Sequence, residues 1–197
     1  MAQSKLWVPA NIVTMSRVVL VPLWLLAAEL GGAPAVDHLS VPALLVFVFF
    51  LLLSLTDKLD GYLARSRGQV TDFGKFLDPI ADKLVVVVAL CYLLEQGAVS
   101  SWLLLIIVAR EFLVSGLRMV VASKGIVVAA SNLGKWKTAL TMVAINALLL
   151  ARALIGAGSI AFEMFGAVVM LAAVILTAWS GIDYFIKCWG YINGREA

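Results

Sequence analysis

Six long apolar runs, separated by short loops, constrain this chain more than any other feature. They span approximately residues 12–31, 40–65, 74–95, 99–122, 134–155 and 160–188. Each is long enough to cross a hydrocarbon layer of about 30 Å at a rise of about 1.5 Å per residue. Short alternating strands, the mark of a membrane barrel, are missing from the pattern. Composition agrees: 63% of the 197 residues are apolar and 14% are charged, against roughly 25% charged in a soluble domain. The expectation is an all-α integral membrane protein of six transmembrane helices, forming a single domain over 1–197. Trp7 and Lys5 suit a short interfacial segment ahead of the first helix, with Pro9 at a bend. No signal peptide is expected, because the first apolar run exceeds the usual core of one.

Lysine and arginine set the orientation. The loops at 32–39 and 96–98 carry none, whereas Arg67 and Lys124 lie in the other two loops, near Arg65, Lys75, Lys135 and Lys137. Lys5 and then Lys187 with Arg195 mark the termini, and only Arg152 falls toward the opposite side. Both termini and the two basic loops are therefore expected in the cytoplasm. His38, the sole histidine, falls in an outside loop, which excludes histidine chemistry near the basic side. Cys91 and Cys188 lack metal-ligand spacing and read as small hydrophobes. Most of the tryptophans, Trp24, Trp102, Trp136, Trp179 and Trp189 among them, fall near segment ends, where an aromatic belt explains them.

One stretch breaks the apolar pattern: TDKLDGYLARSRGQVTDFGKFLDPIADKL, residues 56–84. Carboxylates in or beside a membrane mark sites because their burial is costly. Asp57 and Asp60 are three apart in the second run, and Asp78 and Asp82 are four apart in the third, so each pair shares a helical face. With a short connection, the two helices are expected as antiparallel neighbours whose aspartates converge. Four converging carboxylates repel unless cations intervene, and hard oxygen donors suit Mg²⁺ or Mn²⁺. Two such ions are a recurring device for displacement at phosphorus. Gly61 and Gly74 remove side chains beside the acids, and Arg65 offers a planar fork for phosphate. Ion pairs with Lys58, Arg65 and Lys83 are the plain alternative for any single aspartate.

The pattern D-x2-D-G-x2-A-R-x8-G-x3-D-x3-D fixes eight positions, a match expected by chance at about one start in 10¹⁰. Through Asp57, Asp60, Gly61, Ala64, Arg65, Gly74, Asp78 and Asp82 the chain resembles the CDP-alcohol phosphotransferase family. The resemblance implies a membrane enzyme of six helices, usually homodimeric, that joins a CDP-linked lipid or alcohol to a second alcohol and releases CMP. It implies two divalent cations, both touched by Asp57 and Asp78, the first by Asp60 and the second by Asp82. Asp82 is also the implied general base. The CDP-lipid would be held by Gly61, Arg65, Thr71 and Gly74, joined by Asn11 and Thr14 from the first helix. Asn11 also reads as a helix N-cap, and Arg17 as an interfacial phosphate anchor.

A second set of cations calls for its own ligand. Arg110 and Arg118 are eight apart, two helical turns, and Lys135 and Lys137 open the fifth run behind Ser131, Asn132 and Gly134. A phosphorylated acceptor such as glycerol 3-phosphate would give this charge a partner. The segments AREFLVSGLR at 109–118 and ASNLGKWKT at 130–138 resemble bacterial members of the family that use that acceptor, with CDP-diacylglycerol as donor. Arg110 has a simpler alternative, pairing with Glu111 or another helix. Inositol phosphate as acceptor, or a transporter whose aspartates line an ion path, are the competing functions. No nucleic-acid partner is expected, and a bacterial plasma membrane is the expected location.

Overall fold

The computed structural model describes the backbone of residues 9–66, 72–123 and 132–192, and the side chains within these ranges except at 9–10, 57–66, 72–73, 75–76, 132 and 190–192. Over these residues it is all-helical, with α1 (Pro9–Gly31), α2 (Val41–Ser66), α3 (Asp72–Glu95), α4 (Ser101–Ser123), α5 (Asn132–Ala153) and α6 (Gly156–Ile192). The six helices follow the six apolar runs of the sequence. Trp7, Thr71 and Lys124 lie outside the described residues, as do the side chains of Asp57, Asp60, Gly61 and Arg65.

Local signals account for several boundaries. Pro9 opens α1, where a missing N–H leaves no intrahelical bond unmade. Ser40 and Ser100 stand just before α2 and α4, each accepting a backbone N–H three residues on at 3.4 Å. After α3, Gly97 takes a positive φ of 72°, and the amides of Gly97 and Ala98 turn back to the carbonyls of Leu94 and Leu93.

Two helical stretches are long and apolar enough to cross a membrane: Asn11–Gly31, with mean hydropathy 1.7, and Gly156–Trp189, with 2.3. Val41–Thr56 is a shorter apolar helix. The outward faces are oily. Leu113, Phe112 and Trp102 on α4 and Val168, Ile175 and Trp179 on α6 are each at least 60% exposed, a pattern suited to lipid rather than water.

The core is built around Trp24. It is 1% exposed, donates its indole N–H to the Val46 carbonyl at 3.0 Å, and packs on Phe50 and Tyr92 with centroids 5.1 and 5.7 Å away. Trp24 therefore belongs to the core, unlike the exposed Trp102, Trp136, Trp179 and Trp189, because its segment face turns inward toward α2 and α3. α1 packs along both α2 and α3, which touch each other over little of their described length. The expected meeting of α2 and α3 at their aspartates falls at Asp57 and Asp60, whose side chains lie outside the described residues. α5 packs on α6 and α2, and α4 leans on α6.

The end away from the aspartates is tied by Arg152. Its Nε donates to the Gly32 carbonyl at 3.0 Å and its Nη2 to Gln96 Oε1 at 2.6 Å. Tyr92 Oη donates to the same Gly32 carbonyl at 3.1 Å. A Cβ on Gly32 would stand 2.0 Å from Tyr92 Oη and 2.4 Å from the Ala28 carbonyl oxygen, so only glycine fits this crossing. His38 lies nearby in the sequence, in the exposed α1–α2 loop.

Candidate active site

Three polar side chains of α1 form one buried row, with Ser16 turned outward. Asn11, Thr14 and Arg17, spaced by three, are 1, 2 and 3% exposed. Thr14 Oγ1 donates to Asp78 Oδ1 at 2.6 Å, and Arg17 Nη1 donates to Asp82 Oδ1 at 2.6 Å. The two acceptors are four residues apart on α3, so one turn of α1 is matched to one turn of α3. Gly74, one turn before Asp78, is buried. The helix already runs from Pro9, so Asn11 is not its N-cap. Arg17 turns into the protein toward a carboxylate, not out to an interface. Sequence reasoning left it out of the site, although its spacing of three from Thr14 was a usable signal.

Asp82 opens onto a cavity of about 480 Å³ between α3, α4, α5 and α6. Lys83, Arg110, Glu111, Arg118 and Lys137 line the same space. Lys83 Nζ donates to Ser115 Oγ at 2.5 Å, joining α3 to α4. Arg118 Nε donates to Tyr184 Oη at 3.1 Å, and its guanidinium lies 5.1 Å from the centre of that ring. Lys137, buried on α5, is paired with Glu111, which also lies 3.5 Å from Arg110 Nη1. The simple pairing weighed for Arg110 is thus present, and Lys137 shares it. Lys83, read from the sequence only as a possible ion-pair partner, belongs to this wall; it follows Asp82 directly in the chain.

A second cavity, of about 850 Å³, lies among α2, α4, α5 and α6. Its body is apolar, with Phe47, Leu51, Leu55, Met142, Phe162 and Phe165. Its polar end is formed by Lys135 and by the residues it shares with the smaller cavity, Arg110, Glu111, Arg118, Lys137 and Thr138. The structure thus brings three of the four cations singled out in the sequence to a common wall, with exposed Lys135 at the rim of the larger space. Both volumes lie in the range of small-molecule sites.

A carboxylate beside an anion-attracting wall can take a proton from a bound phosphorylated alcohol, and an adjoining apolar groove suits a lipid. The sequence profile of the family described as CDP-alcohol phosphatidyltransferase matches residues 7–179. The chain belongs to the CDP-alcohol phosphatidyltransferase family. The family match covers α1 through most of α6 and includes every site residue named above except Tyr184. The chain is accordingly an enzyme of this transferase class, and the family's membrane association agrees with the apolar helices.

Similar curated proteins are closely matched in length. One is the CDP-diacylglycerol–glycerol-3-phosphate 3-phosphatidyltransferase of Bacillus subtilis (strain 168), 40% identical over 91% of this chain and 94% of that protein. The protein of the same name from Rickettsia felis is 38% identical over 92% of this chain and 95% of its own length. A probable phosphatidylglycerophosphate synthase of Mycobacterium tuberculosis (strain ATCC 25618 / H37Rv) is 38% identical over 94% and 83%.

Members of the family generally use divalent metals. The donor chemistry here fits such ions: Asp78 and Asp82 present hard oxygens one turn apart on α3. Among the described residues no three acidic, histidine or cysteine side chains form a metal cluster; Asp57 and Asp60, within the last turns of α2, have side chains outside that description.

Proposed function

We propose that this enzyme transfers the phosphatidyl group of CDP-diacylglycerol to glycerol 3-phosphate, yielding phosphatidylglycerophosphate and CMP. The observation that carries the reading is the smaller cavity, where Asp82 shares one space with Lys83, Arg110, Arg118 and Lys137. The names of the relatives, which specify this donor and acceptor, support it.

The acceptor phosphate lies against the cationic wall, which directs the glycerol hydroxyl toward Asp82. Asp82 accepts the hydroxyl proton as the oxygen attacks the phosphorus that carries diacylglycerol. A new P–O bond forms there, and the P–O bond to the CMP leaving group breaks. Asp57, Asp60, Asp78 and Asp82 would hold two divalent cations, Mg²⁺ or Mn²⁺, which when bound neutralise phosphate oxygens and stabilise the charge of the transition state. Asn11, Thr14, Gly61, Arg65, Thr71 and Gly74 are assigned to the nucleotide and diphosphate. Thr14 and Arg17 orient Asp78 and Asp82 from α1, and Lys135 guides anions at the rim.

In this reading the chain is a single domain whose six helices all span the bacterial plasma membrane, with both termini and the active site in the cytoplasm, and it works as a homodimer. The acyl chains stay in or beside the bilayer throughout. The decisive test is an assay of purified protein with CDP-diacylglycerol, Mg²⁺ and a panel of labelled acceptors, following CMP and the lipid product. Glycerol 3-phosphate is expected to give the dominant product. A dominant product from inositol phosphate would reassign the acceptor, and absence of CMP release would overturn the reaction.

A further inference from the structure

Glu111 is an odd residue to find in an anion site. It is the sole carboxylate among the described residues lining the larger cavity, and one of two, with Asp82, lining the smaller. Its side chain is 23% exposed and reaches from α4 to the 7% exposed Lys137 on α5, with Arg110 beside it. The wall still has donor capacity to spare. Arg110 Nε is buried without a hydrogen-bond partner among the described residues. Lys83 donates to a neutral hydroxyl, and Arg118 Nε to a phenol. Glu111 therefore subtracts charge from a cationic group that a phosphate could otherwise use in full.

Both substrates of the proposed reaction carry phosphate, and the two cavities share this wall. An unopposed group of cations would favour whichever anion bears more charge, a diphosphate over a phosphomonoester. A carboxylate fixed inside the group disfavours each added oxyanion charge, and in partly buried surroundings the effect at a few ångströms is large. We infer that Glu111 is a charge-selecting residue: by holding Lys137 it matches the wall to a single phosphomonoester and turns diphosphates away from the acceptor site. The inference rests on the reading of the smaller cavity as the acceptor site.

The test uses the full chain purified in detergent without divalent cations, titrated calorimetrically with inorganic phosphate and with pyrophosphate. Glycerol 3-phosphate is added to displace bound phosphate. The wild type is expected to bind phosphate at least as tightly as pyrophosphate. Glu111→Gln is expected to shift the affinity ratio toward pyrophosphate by about tenfold or more. Lys137→Gln, which removes a cation from the same pair, should shift it the opposite way. The double variant, which lacks the ion pair but restores the charge balance, should return toward the wild-type ratio. A purely structural ion pair would leave the ratio unchanged in both single variants, and that result overturns the inference even if one variant folds poorly. Phosphate that binds but is not displaced by glycerol 3-phosphate, or no phosphate binding at all, would instead overturn the acceptor-site reading and the inference with it.

Discussion

Arg17 and Asp82, 65 residues apart in the chain, form an ion pair between α1 and α3, with Nη1 and Oδ1 separated by 2.6 Å. The arginine is 3% exposed, whereas the carboxylate is 44% exposed and faces the smaller cavity. One partner is thus locked in the core and aims the other at the site. Arg17→Ala is expected to lower kcat at least tenfold, because Asp82 loses its orienting contact, and to reduce stability by about 1–3 kcal/mol. Arg17→Lys should recover part of both losses. CMP release and thermal unfolding, measured on the same preparations, provide the check; unchanged kcat in Arg17→Ala would dismiss the orienting role.

Asp82→Asn keeps the shape of the side chain while removing its ability to take a proton and much of its affinity for cations. Turnover should fall by about three orders of magnitude or more, while the protein stays folded with a stability loss of about 1–3 kcal/mol, because buried Arg17 keeps an acceptor but loses its charged partner. Near-normal product formation by the folded variant would remove Asp82 from the chemistry.

Arg118→Ala is expected to raise the KM for glycerol 3-phosphate by about tenfold or more and to move the KM for CDP-diacylglycerol far less. Tyr184→Phe separates two contributions, since the ring under the guanidinium stays and the 3.1 Å hydrogen bond goes. A change of only about two- to threefold is expected there, the scale of one modest hydrogen bond. If the lipid KM alone responds to Arg118→Ala, the division between the two cavities is wrong.

Chelation offers a further check on the aspartates. EDTA should stop CMP release, and Mg²⁺ or Mn²⁺ should restore it, as four carboxylates of this spacing require a compensating charge. Activity that survives exhaustive chelation would argue against metal-assisted transfer.

Gly32→Ala tests the far end of the bundle independently of the chemistry. The added methyl must displace Tyr92 Oη or the Ala28 carbonyl, so destabilisation of at least about 1–3 kcal/mol is expected. Specific activity of the folded fraction should remain near wild type, because Gly32 lies at the opposite end of α1 from Thr14 and Arg17. A large drop in kcat without loss of stability would mean that this end communicates with the site.

Helix number and extent were legible from the apolar runs, because a run long enough to span a bilayer has few ways to satisfy its backbone other than a helix. The aspartate pattern was legible for a related reason: charges that interrupt such runs need a purpose, and their spacing names the shared faces. Which helices meet was not legible. The short connection between α2 and α3 makes them neighbours in the chain but gives no sign that α1 lies along both. Trp24 reads as a belt residue by its position and becomes the centre of the core once Val46, Phe50 and Tyr92 surround it.

The sequence by itself determined the helical class, the family and the acidic and basic residues that any mechanism must use, since periodicity and spacing are local properties. Only the tertiary structure decided that Arg17 faces Asp82, that Lys83 joins the cationic wall, and that Glu111 stands among those cations. Those relationships depend on how helices rotate and pack about one another. Packing sums many weak contacts between residues far apart in the chain, and no local pattern carries that sum.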